Sequence, residues 1–113
     1  MDCVFCKIIA GEIPSKKLYE DDMVYAFYDI EPAAPVHFLV VPKEHVLESC
    51  AQVQEEHAAL IGHIFHVIAQ LARQLDLAGG YRVVTNCGAD AGQTVPHLHF
   101  HVLAKRSLAW PPG

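Results

Sequence analysis

The stretch that decides the fold is Gly92-Gln93-Thr94-Val95-Pro96-His97-Leu98-His99-Phe100-His101-Val102-Leu103. Side chains alternate across a β-strand, so the three histidines share one side and the apolar residues between them share the other. This alternation predicts a strand over residues 97–104, with its apolar side in the core and its imidazole side facing a polar space. The outer histidines would lie about 13 Å apart at their α-carbons, which disfavours one metal ion held by all three.

Three interpretations of this strand stay open from periodicity alone. It is a polar sheet face that happens to be rich in histidine, a metal site in which two histidines join ligands from elsewhere, or a histidine nucleophile oriented by a neighbour. The loop before it favours the third, because Gly88 and Gly92 offer backbone N–H groups while Gln93 and Thr94 add an amide and a hydroxyl. That combination suits an anion and therefore phosphoryl chemistry.

The rest of the chain predicts an α+β fold with an antiparallel sheet. Runs rich in aromatic and β-branched residues predict strands at 18–19, 23–29, 36–41 and 81–86, and apolar spacing predicts helices at 3–10 and 55–77. Sequential strands with short connections and one separate long helix are typical of this class. The long helix carries an apolar stripe that is wide for one small sheet, so part of it is expected to face a second subunit. The stripe consists of Leu60, Ile61, Ile64, Phe65, Val67, Ile68, Leu71, Ala72 and Leu75.

Length and composition exclude several classes of protein. The chain of 113 residues suits one domain, and 52% apolar with 19% charged residues excludes a disordered segment. Eight Lys and Arg against 13 Asp and Glu give a net charge of -5, which argues against a nucleic-acid partner and against an anionic membrane surface. No apolar run reaches the roughly 20 residues of a membrane span, and the start lacks the pattern of a secretion signal, so a cytoplasmic location is expected.

Four cysteines, Cys3, Cys6, Cys50 and Cys87, are expected to be reduced thiols or metal ligands, because no export signal accompanies them. The spacing of Cys3 and Cys6 on a helical turn puts both sulfurs on one side. Two unrelated buried thiols, an adventitious disulfide and a structural zinc site all remain open for this pair. Cys87 receives no role.

The motif His97-Leu98-His99-Phe100-His101-Val102-Leu103 resembles the signature of the histidine-triad (HIT) family of nucleotide hydrolases and transferases. Flanking stretches at 5–9, 12–14, 27–30, 34–38 and 92–95, together with the Trp-Pro-Pro-Gly end, are similar to its histidine-triad nucleotide-binding (Hint) branch. The resemblance implies a single HIT domain over 1–113 with a five-stranded antiparallel sheet, one long and one short helix. It also implies a homodimer that joins two sheets into one, with the tail at about 105–113 reaching the partner's site.

The resemblance assigns catalytic roles to the triad and to one further histidine. His99 is the implied nucleophile toward the α-phosphorus of a nucleotide, and His37 is its orienting or proton-relay partner. His101 is expected to meet phosphate oxygens, and His97 is the first triad histidine. The implied activity is that of a purine nucleoside phosphoramidate hydrolase. The alternatives are a dinucleoside polyphosphate hydrolase and a nucleotide-binding regulatory protein whose hydrolysis is incidental.

The resemblance also implies a nucleotide site. Asp29 would accept the ribose hydroxyls, although an aspartate at a strand end is more often a turn cap. Trp110 would lie near the partner's substrate, although a tryptophan in such a tail can pack on its own subunit. The full set implied to bind nucleotide is Phe5, Ile13, Phe27, Asp29, Ile30, Asn86, Gly92, Gln93, Thr94, Val95, His99, His101 and Trp110.

No cofactor is expected in the chemical step, and a structural zinc ion is the sharper hypothesis for the cysteine pair. Some relatives of bacterial type carry the Cys-x-x-Cys motif and complete a Cys₂His₂ set with two histidines. The implied ligands here are Cys3, Cys6, His45 and His97. Such a closed site would hold the end of the triad strand in place and take no part in the reaction.

Overall fold

The computed structural model describes residues 3–113, and its centre is one antiparallel sheet. The strands are β1 (Lys17–Glu20), β2 (Val24–Tyr28), β3 (Val36–Pro42), β4 (Tyr81–Val84) and β5 (Phe100–Ala104). Their order across the sheet is β1-β2-β3-β5-β4, and every neighbouring pair is antiparallel. The predicted α+β class with a five-stranded antiparallel sheet is confirmed.

Two α-helices flank the sheet, α1 (Val4–Ile9) and α2 (Ala58–Gln74), with single 3-10 turns at Cys50–Gln52, Glu55–His57 and Ala89–Ala91. The long helix is shorter than its predicted range of 55–77, because residues 55–57 form a tighter turn and Asp76 has a positive φ of 57° that ends it. Within residues 3–113, no helix has the length and apolarity that crossing a membrane requires.

The apolar stripe of α2 covers one face of the sheet. Its inner residues pack against alternate side chains of β2, β3 and β5, which is the arrangement that strands with period-two burial require. The buried members of this core are Val24, Ala26, Phe38, Val40, Leu47, Ile64, Val67, Ile68, Leu71, Ala72, Leu77, Leu98, Phe100, Val102 and Ala104. Phe65 on the flank of the stripe stays 47% exposed.

The short helix α1 covers the opposite face of the sheet. Phe5 and Ile8 pack there with Phe27, Leu39 and further apolar side chains, which form a second, smaller core. The side chains of β3 divide accordingly, with Phe38 and Val40 toward α2 and Leu39 toward α1. The triad histidines lie on the α1 side, so this smaller core forms their surroundings.

The predicted strand at 97–104 is wrong at its start, because β5 begins at Phe100. Pro96 has no backbone N–H, and the N–H of His97 donates to Val95 O at 2.9 Å while that of Leu98 donates to Leu47 O at 2.9 Å. These bonds replace a sheet ladder before Phe100. The alternation nevertheless persists, since Leu98 lies in the α2 core.

The space beside the imidazoles is more covered than a fully open polar face would be. His97 has no exposed surface and His99 is 7% exposed, because α1 lies over this side of the strand. The predicted strand at 81–86 ends earlier, at Val84, where the Thr85 hydroxyl donates to the carbonyl of His99 at 2.8 Å. These two histidines therefore occupy a covered, low-dielectric environment, in which a charged imidazole is disfavoured.

Candidate active site and metal centre

A cavity of about 510 Å³ opens between α1, the sheet and the loop that precedes the triad. Its lining combines apolar side chains with two triad histidines and two carboxylates. The lining residues are Val4, Phe5, Ile8, Ile13, Pro14, Ser15, Phe27, Asp29, Ile30, Glu31, Leu39, Asn86, Gly92, Thr94, Val95, His99 and His101. A mostly apolar cavity of this size with a few polar groups is typical of a site for a small organic ligand.

The strand register builds the floor of this cavity. Phe27 on β2 pairs with Leu39 on β3, and Leu39 pairs with His101 on β5, so the three residues form a row across the sheet. Because directly opposed residues point to the same face, the aromatic, aliphatic and imidazole side chains all line the cavity. The floor therefore runs from an apolar end at β2 to a reactive end at β5.

Hydrogen bonding assigns the tautomer of His99. Its Nδ1–H donates to the carbonyl of His97 at 2.6 Å, so the neutral ring keeps a lone pair on Nε2. Phe5 packs edge-on against the ring with centroids 4.9 Å apart, which holds the imidazole plane. Since His99 lines the cavity, Nε2 is the nitrogen available to a bound molecule.

A chain of two hydrogen bonds determines the tautomers of His37 and His101. The backbone N–H of Ala33 donates to His37 Nδ1 at 3.0 Å, so the proton of the neutral His37 ring is on Nε2. That Nε2–H donates to His101 Nδ1 at 2.9 Å, which leaves His101 with its own proton on Nε2. Asp29 approaches His37 Nε2 at 3.5 Å. Because both nitrogens of His37 are committed, this group is a hydrogen-bond relay rather than a metal site.

Burial keeps these imidazoles neutral. It lowers the pKa of His99 and of His37 below the ordinary value of 6.5, against the opposing effect of the Asp29 charge. For His101, burial and then the neighbouring His99 and His37 lower the pKa to about 4. At neutral pH the cavity thus offers one imidazole lone pair beside an imidazole N–H donor, which is the pair of groups that nucleophilic attack and anion binding need.

A separate cluster lies under the start of α1, where Cys3, Cys6, His45 and His97 bring one donor atom each to within 4.8 Å of one another. The Nε2–H of His97 donates to Pro42 O at 2.9 Å, so its lone pair is on Nδ1 and faces the sulfurs. His97 Nδ1 is 3.3 Å from Cys3 Sγ and 3.6 Å from Cys6 Sγ, and His45 Nδ1 is 3.4 Å from Cys6 Sγ.

These separations fit a tetrahedral zinc ion. Zn–S bonds of about 2.3 Å and Zn–N bonds of about 2.0–2.1 Å at tetrahedral angles place neighbouring ligands roughly 3.5 Å apart. Two thiolates and two neutral imidazoles also balance the charge of the ion, which suits a buried site. All four predicted ligands are brought together, and both thiols are free in this structure, so the cluster can hold structural zinc without rearrangement.

Helix α1 links the cluster to the cavity. Cys3 caps its first turn, accepting the N–H of Cys6 at 3.4 Å, and both sulfurs belong to the cluster. Phe5, between them in sequence, contacts His97 and His99 edge-on, at centroid distances of 5.8 and 4.9 Å. Helix α1 and its N-cap residue therefore supply two cluster ligands, and the helix supplies one wall of the cavity.

Most residues implied to bind nucleotide line the cavity, but two do not. The Gln93 amide donates to Glu48 O at 2.7 Å and to Val95 O at 3.0 Å, and it accepts the N–H of Gly88 at 3.0 Å. Its side chain therefore braces the loop. Trp110 is 81% exposed and lies outside the cavity lining. The roles implied for both residues stay predictions.

Asp29 caps a turn and also lines the cavity, and its role toward ribose stays a prediction. Its Oδ1 accepts the N–H of Glu31 at 2.8 Å, which is the turn cap, and its side chain also lines the cavity. Sequence reasoning missed six lining residues: Val4, Ile8, Pro14, Ser15, Glu31 and Leu39. Leu39 was accessible from alternation, since it lies two residues after His37 on the same face of β3. The others are brought in by the placement of α1 and of the turns.

The chain matches the HIT domain family over residues 10–108, and it belongs to that family. A crystal structure of a HIT family hydrolase from Legionella pneumophila superposes with a TM-score of 0.95 at 41% identity, covering 99% of this chain and 100% of the other. The structure of a histidine triad nucleotide-binding protein from Candida albicans superposes with a TM-score of 0.81 at 36% identity, covering 97% and 83% of the two chains.

A maize relative bears on the metal cluster. The 14 kDa zinc-binding protein of Zea mays is 45% identical over 111 residues, which are 97% of this chain and 87% of the maize protein. The family assignment and the fold therefore rest on matches over nearly the whole chain.

Proposed function

We propose that this protein hydrolyses purine nucleoside phosphoramidates through a nucleotidyl-histidine intermediate on His99. The observation that carries the proposal is the hydrogen bond from His99 Nδ1 to the His97 carbonyl, which leaves a neutral Nε2 lone pair in the cavity. A nucleophilic imidazole needs this arrangement, because the protonated ring has no lone pair to donate. The hydrolase from Legionella pneumophila with the same fold supports hydrolysis as the reaction class.

The proposed reaction has two balanced steps. In the first, His99 Nε2 forms a bond to the α-phosphorus, the P–N bond breaks, and the amine leaves with a proton taken from solvent. In the second, water attacks the phosphorus and returns a proton to solvent, the P–Nε2 bond breaks, and the nucleoside monophosphate leaves with His99 restored. The Nε2–H of His101 donates to a phosphate oxygen, and the relay from Ala33 through His37 keeps His101 in the tautomer that can do so.

The nucleoside would occupy the apolar end of the cavity. Phe5, Ile13 and Phe27 offer flat and aliphatic surface for a purine, and Phe5 and Phe27 hold each other edge-on at 5.6 Å. The free oxygen of Asp29 accepts ribose hydroxyls, and Asn86, Thr94 and the loop backbone meet the phosphate. The nucleotide-binding relative from Candida albicans supports a nucleotide as ligand.

In this proposal, Cys3, Cys6, His45 and His97 bind a structural zinc ion, as the maize zinc-binding relative suggests. When bound, the ion supplies a fixed joint between α1 and the chain before β5. No step of the reaction uses it. The chain's own contribution is to hold His97 by its bond to Pro42, so that its carbonyl stays in place for His99.

We also propose a single HIT domain over 1–113 that pairs as a homodimer of the Hint type. β4 is a free edge of the sheet and carries Tyr81, which is 41% exposed, and Phe65 is exposed on α2. Arg82 on β4 donates to the carbonyls of Leu108 and Ala109 at 3.0 and 2.5 Å, which aligns the tail with that edge. A partner bound there would bring Trp110 toward the neighbouring cavity.

The test is turnover of adenosine 5′-phosphoramidate, measured as release of adenosine monophosphate and ammonia. Wild-type protein should release both, and a quenched reaction should show a nucleotidyl adduct on the peptide that contains His99. A His99→Ala variant with equal turnover would overturn the catalytic assignment. Preferred cleavage of a diadenosine polyphosphate by the wild type would instead make this protein a dinucleoside polyphosphate hydrolase.

A further inference from the structure

Two exposed thiols lie together beside the cavity and belong to neither site described above. Cys50 begins a 3-10 turn, and Cys87 directly follows Asn86, which lines the cavity. The sulfur of Cys87 is 3.4 Å from the hydroxyl of Ser49, the residue before Cys50. Because Ser49 directly precedes Cys50, this contact brings the Cys87 thiol to the start of the turn that carries Cys50.

The segments that carry these thiols are already held side by side. Gln93 donates to the carbonyl of Glu48 at 2.7 Å and accepts the N–H of Gly88 at 3.0 Å. One side chain therefore connects the segment before Cys50 to the residue after Cys87. A disulfide requires its two β-carbons to come within about 3.5–4.5 Å, and this bracing keeps the two segments adjacent.

The two thiols differ in reactivity. The hydrogen bond with the Ser49 hydroxyl lowers the pKa of Cys87, because it favours the thiolate. Partial burial and then the neighbouring Cys87 raise the pKa of Cys50. Because the thiolate is the nucleophile, Cys87 reacts first with an oxidant and Cys50 is placed to resolve the product.

We propose that Cys50 and Cys87 form a reversible intramolecular disulfide, with a peroxide as the oxidant, that ties the turn at Cys50–Gln52 to the loop before the triad. The Cys87 thiolate takes an oxygen from hydrogen peroxide, giving a sulfenic acid and hydroxide. The Cys50 thiol then attacks that sulfur, the S–O bond breaks, and water leaves. Two thiols lose two electrons in total and the peroxide gains them. A dithiol reductant reverses the bond by exchange.

Trypsin digestion after peroxide treatment of the zinc-loaded chain tests this directly. Cys50 falls in the peptide 44–73, Cys87 in the peptide 83–105, and the remaining two cysteines in the peptide that ends at Lys7. Mass spectrometry without reductant should find 44–73 joined to 83–105 in protein that is still monomeric under denaturation. Links to the Lys7 peptide, or cross-links between two chains instead, would overturn the proposal.

Matched serine variants test the order of reaction. In Cys50→Ser, peroxide should leave Cys87 as a sulfenic acid that a dione reagent traps. In Cys87→Ser, Cys50 should react about three- to tenfold more slowly with the same oxidant. Both positions are exposed, so both variants should fold. Equal rates for the two thiols would contradict the assignment of Cys87 as the first to react.

Slower amide exchange supplies an independent measurement. The oxidised wild type should show slower hydrogen exchange at residues 48–52 and 86–93 than the reduced protein, with the difference lost on reduction. The doubly substituted Cys50→Ser/Cys87→Ser chain should show no response to peroxide in these segments. Unchanged exchange in a chain whose disulfide is fully formed would overturn the claim that the bond ties the two segments together.

Discussion

His97 and His99 lie two residues apart on the same side of one segment, yet they serve different sites. His97 uses Nε2 to donate to Pro42 O, so its Nδ1 faces two cysteine sulfurs in a closed cluster. His99 uses Nδ1 to donate to His97 O, so its Nε2 is available in an open cavity. In both rings a backbone carbonyl selects the tautomer.

In each ring, the nitrogen that is bonded to a backbone carbonyl determines which nitrogen keeps the lone pair. That lone pair faces the metal cluster in His97 and the cavity in His99. The closed cluster has four donors within 4.8 Å of one another and suits an ion that needs no open position. The cavity has one lone pair and free space above it, which suits covalent attack. Substituting the nucleophile in the cavity should therefore remove activity without emptying the metal cluster.

The largest effect is expected from His99→Gln. Loss of the nucleophile should lower phosphoramidate turnover by at least about 10³-fold, because the covalent route is removed while binding groups remain. Zinc content should stay at the wild-type level, since His99 is not among the four clustered donors. Turnover would be followed by ammonia release, and zinc by elemental analysis.

The reciprocal change, His97→Gln, is the matched control for this comparison. It should lower zinc content, and the backbone carbonyl that orients His99 remains in the chain. Finding that His99→Gln empties the metal site while keeping activity would reverse the assignment of the two rings.

Next in size is the effect of Cys6→Ser on stability. Removing one thiolate should abolish tight zinc binding and lower the free energy of unfolding by about 3 kcal/mol when free zinc exceeds its Kd by a few hundredfold. Because α1 also carries Phe5, KM for the nucleotide substrate should rise as well. Urea unfolding and elemental analysis measure the first two quantities.

Cys50→Ser serves as the control for Cys6→Ser, because that thiol is exposed and lies outside the cluster. Its zinc content and unfolding midpoint should match those of the wild type in reductant. Equal zinc content in Cys6→Ser would rule out the metal site.

The cavity region should also respond to acid. The pKa of His101 is lowered to about 4 from 6.5, so below pH 6.5 the unfolded chain binds a proton that the folded chain does not. The contribution of His101 to the free energy of unfolding should be fully present above pH 6.5. It should fall by up to roughly 3 kcal/mol as the pH drops toward 4. Urea midpoints measured from pH 7 to pH 4.5 check the slope.

A His101→Gln variant should show a shallower acid slope than the wild type, whatever its absolute stability. Replacing the exposed His66 by glutamine should leave the slope unchanged. Parallel slopes for the wild type and His101→Gln would show that His101 does not titrate in this range.

The smallest effect is expected from Asp29→Asn. The amide keeps an oxygen for the turn at Glu31 but loses the charge that favours ribose hydroxyls, so affinity for a ribonucleoside monophosphate should fall about tenfold. The corresponding 2′-deoxy ligand should lose less. Calorimetric titration of both ligands measures the ratio, and Asp22→Asn on the exposed turn is the control.

Prediction from sequence succeeded where the signal was local. Alternation at 97–103 placed the histidines opposite Leu98, Phe100 and Val102, and the apolar stripe of α2 predicted the larger core. Prediction failed at the ends of strands. The start of β5 depends on long-range bonds, since the N–H of Leu98 donates to Leu47 O and the end of β4 pairs with His101. Sequence also gave no reason for Gln93 to bond three backbone groups instead of facing the cavity.

The sequence by itself determined the sheet, the two helices and the presence of a histidine-rich side, because hydrophobic periodicity acts over a few residues. Tertiary contacts decided which nitrogen of His97 and of His101 carries the proton, since their partners Pro42 and His37 are distant in sequence. The four metal donors likewise converge from positions 3 to 97 only when α1 packs on the sheet. Burial then sets the charge state of each ring, and burial is a property of the folded chain.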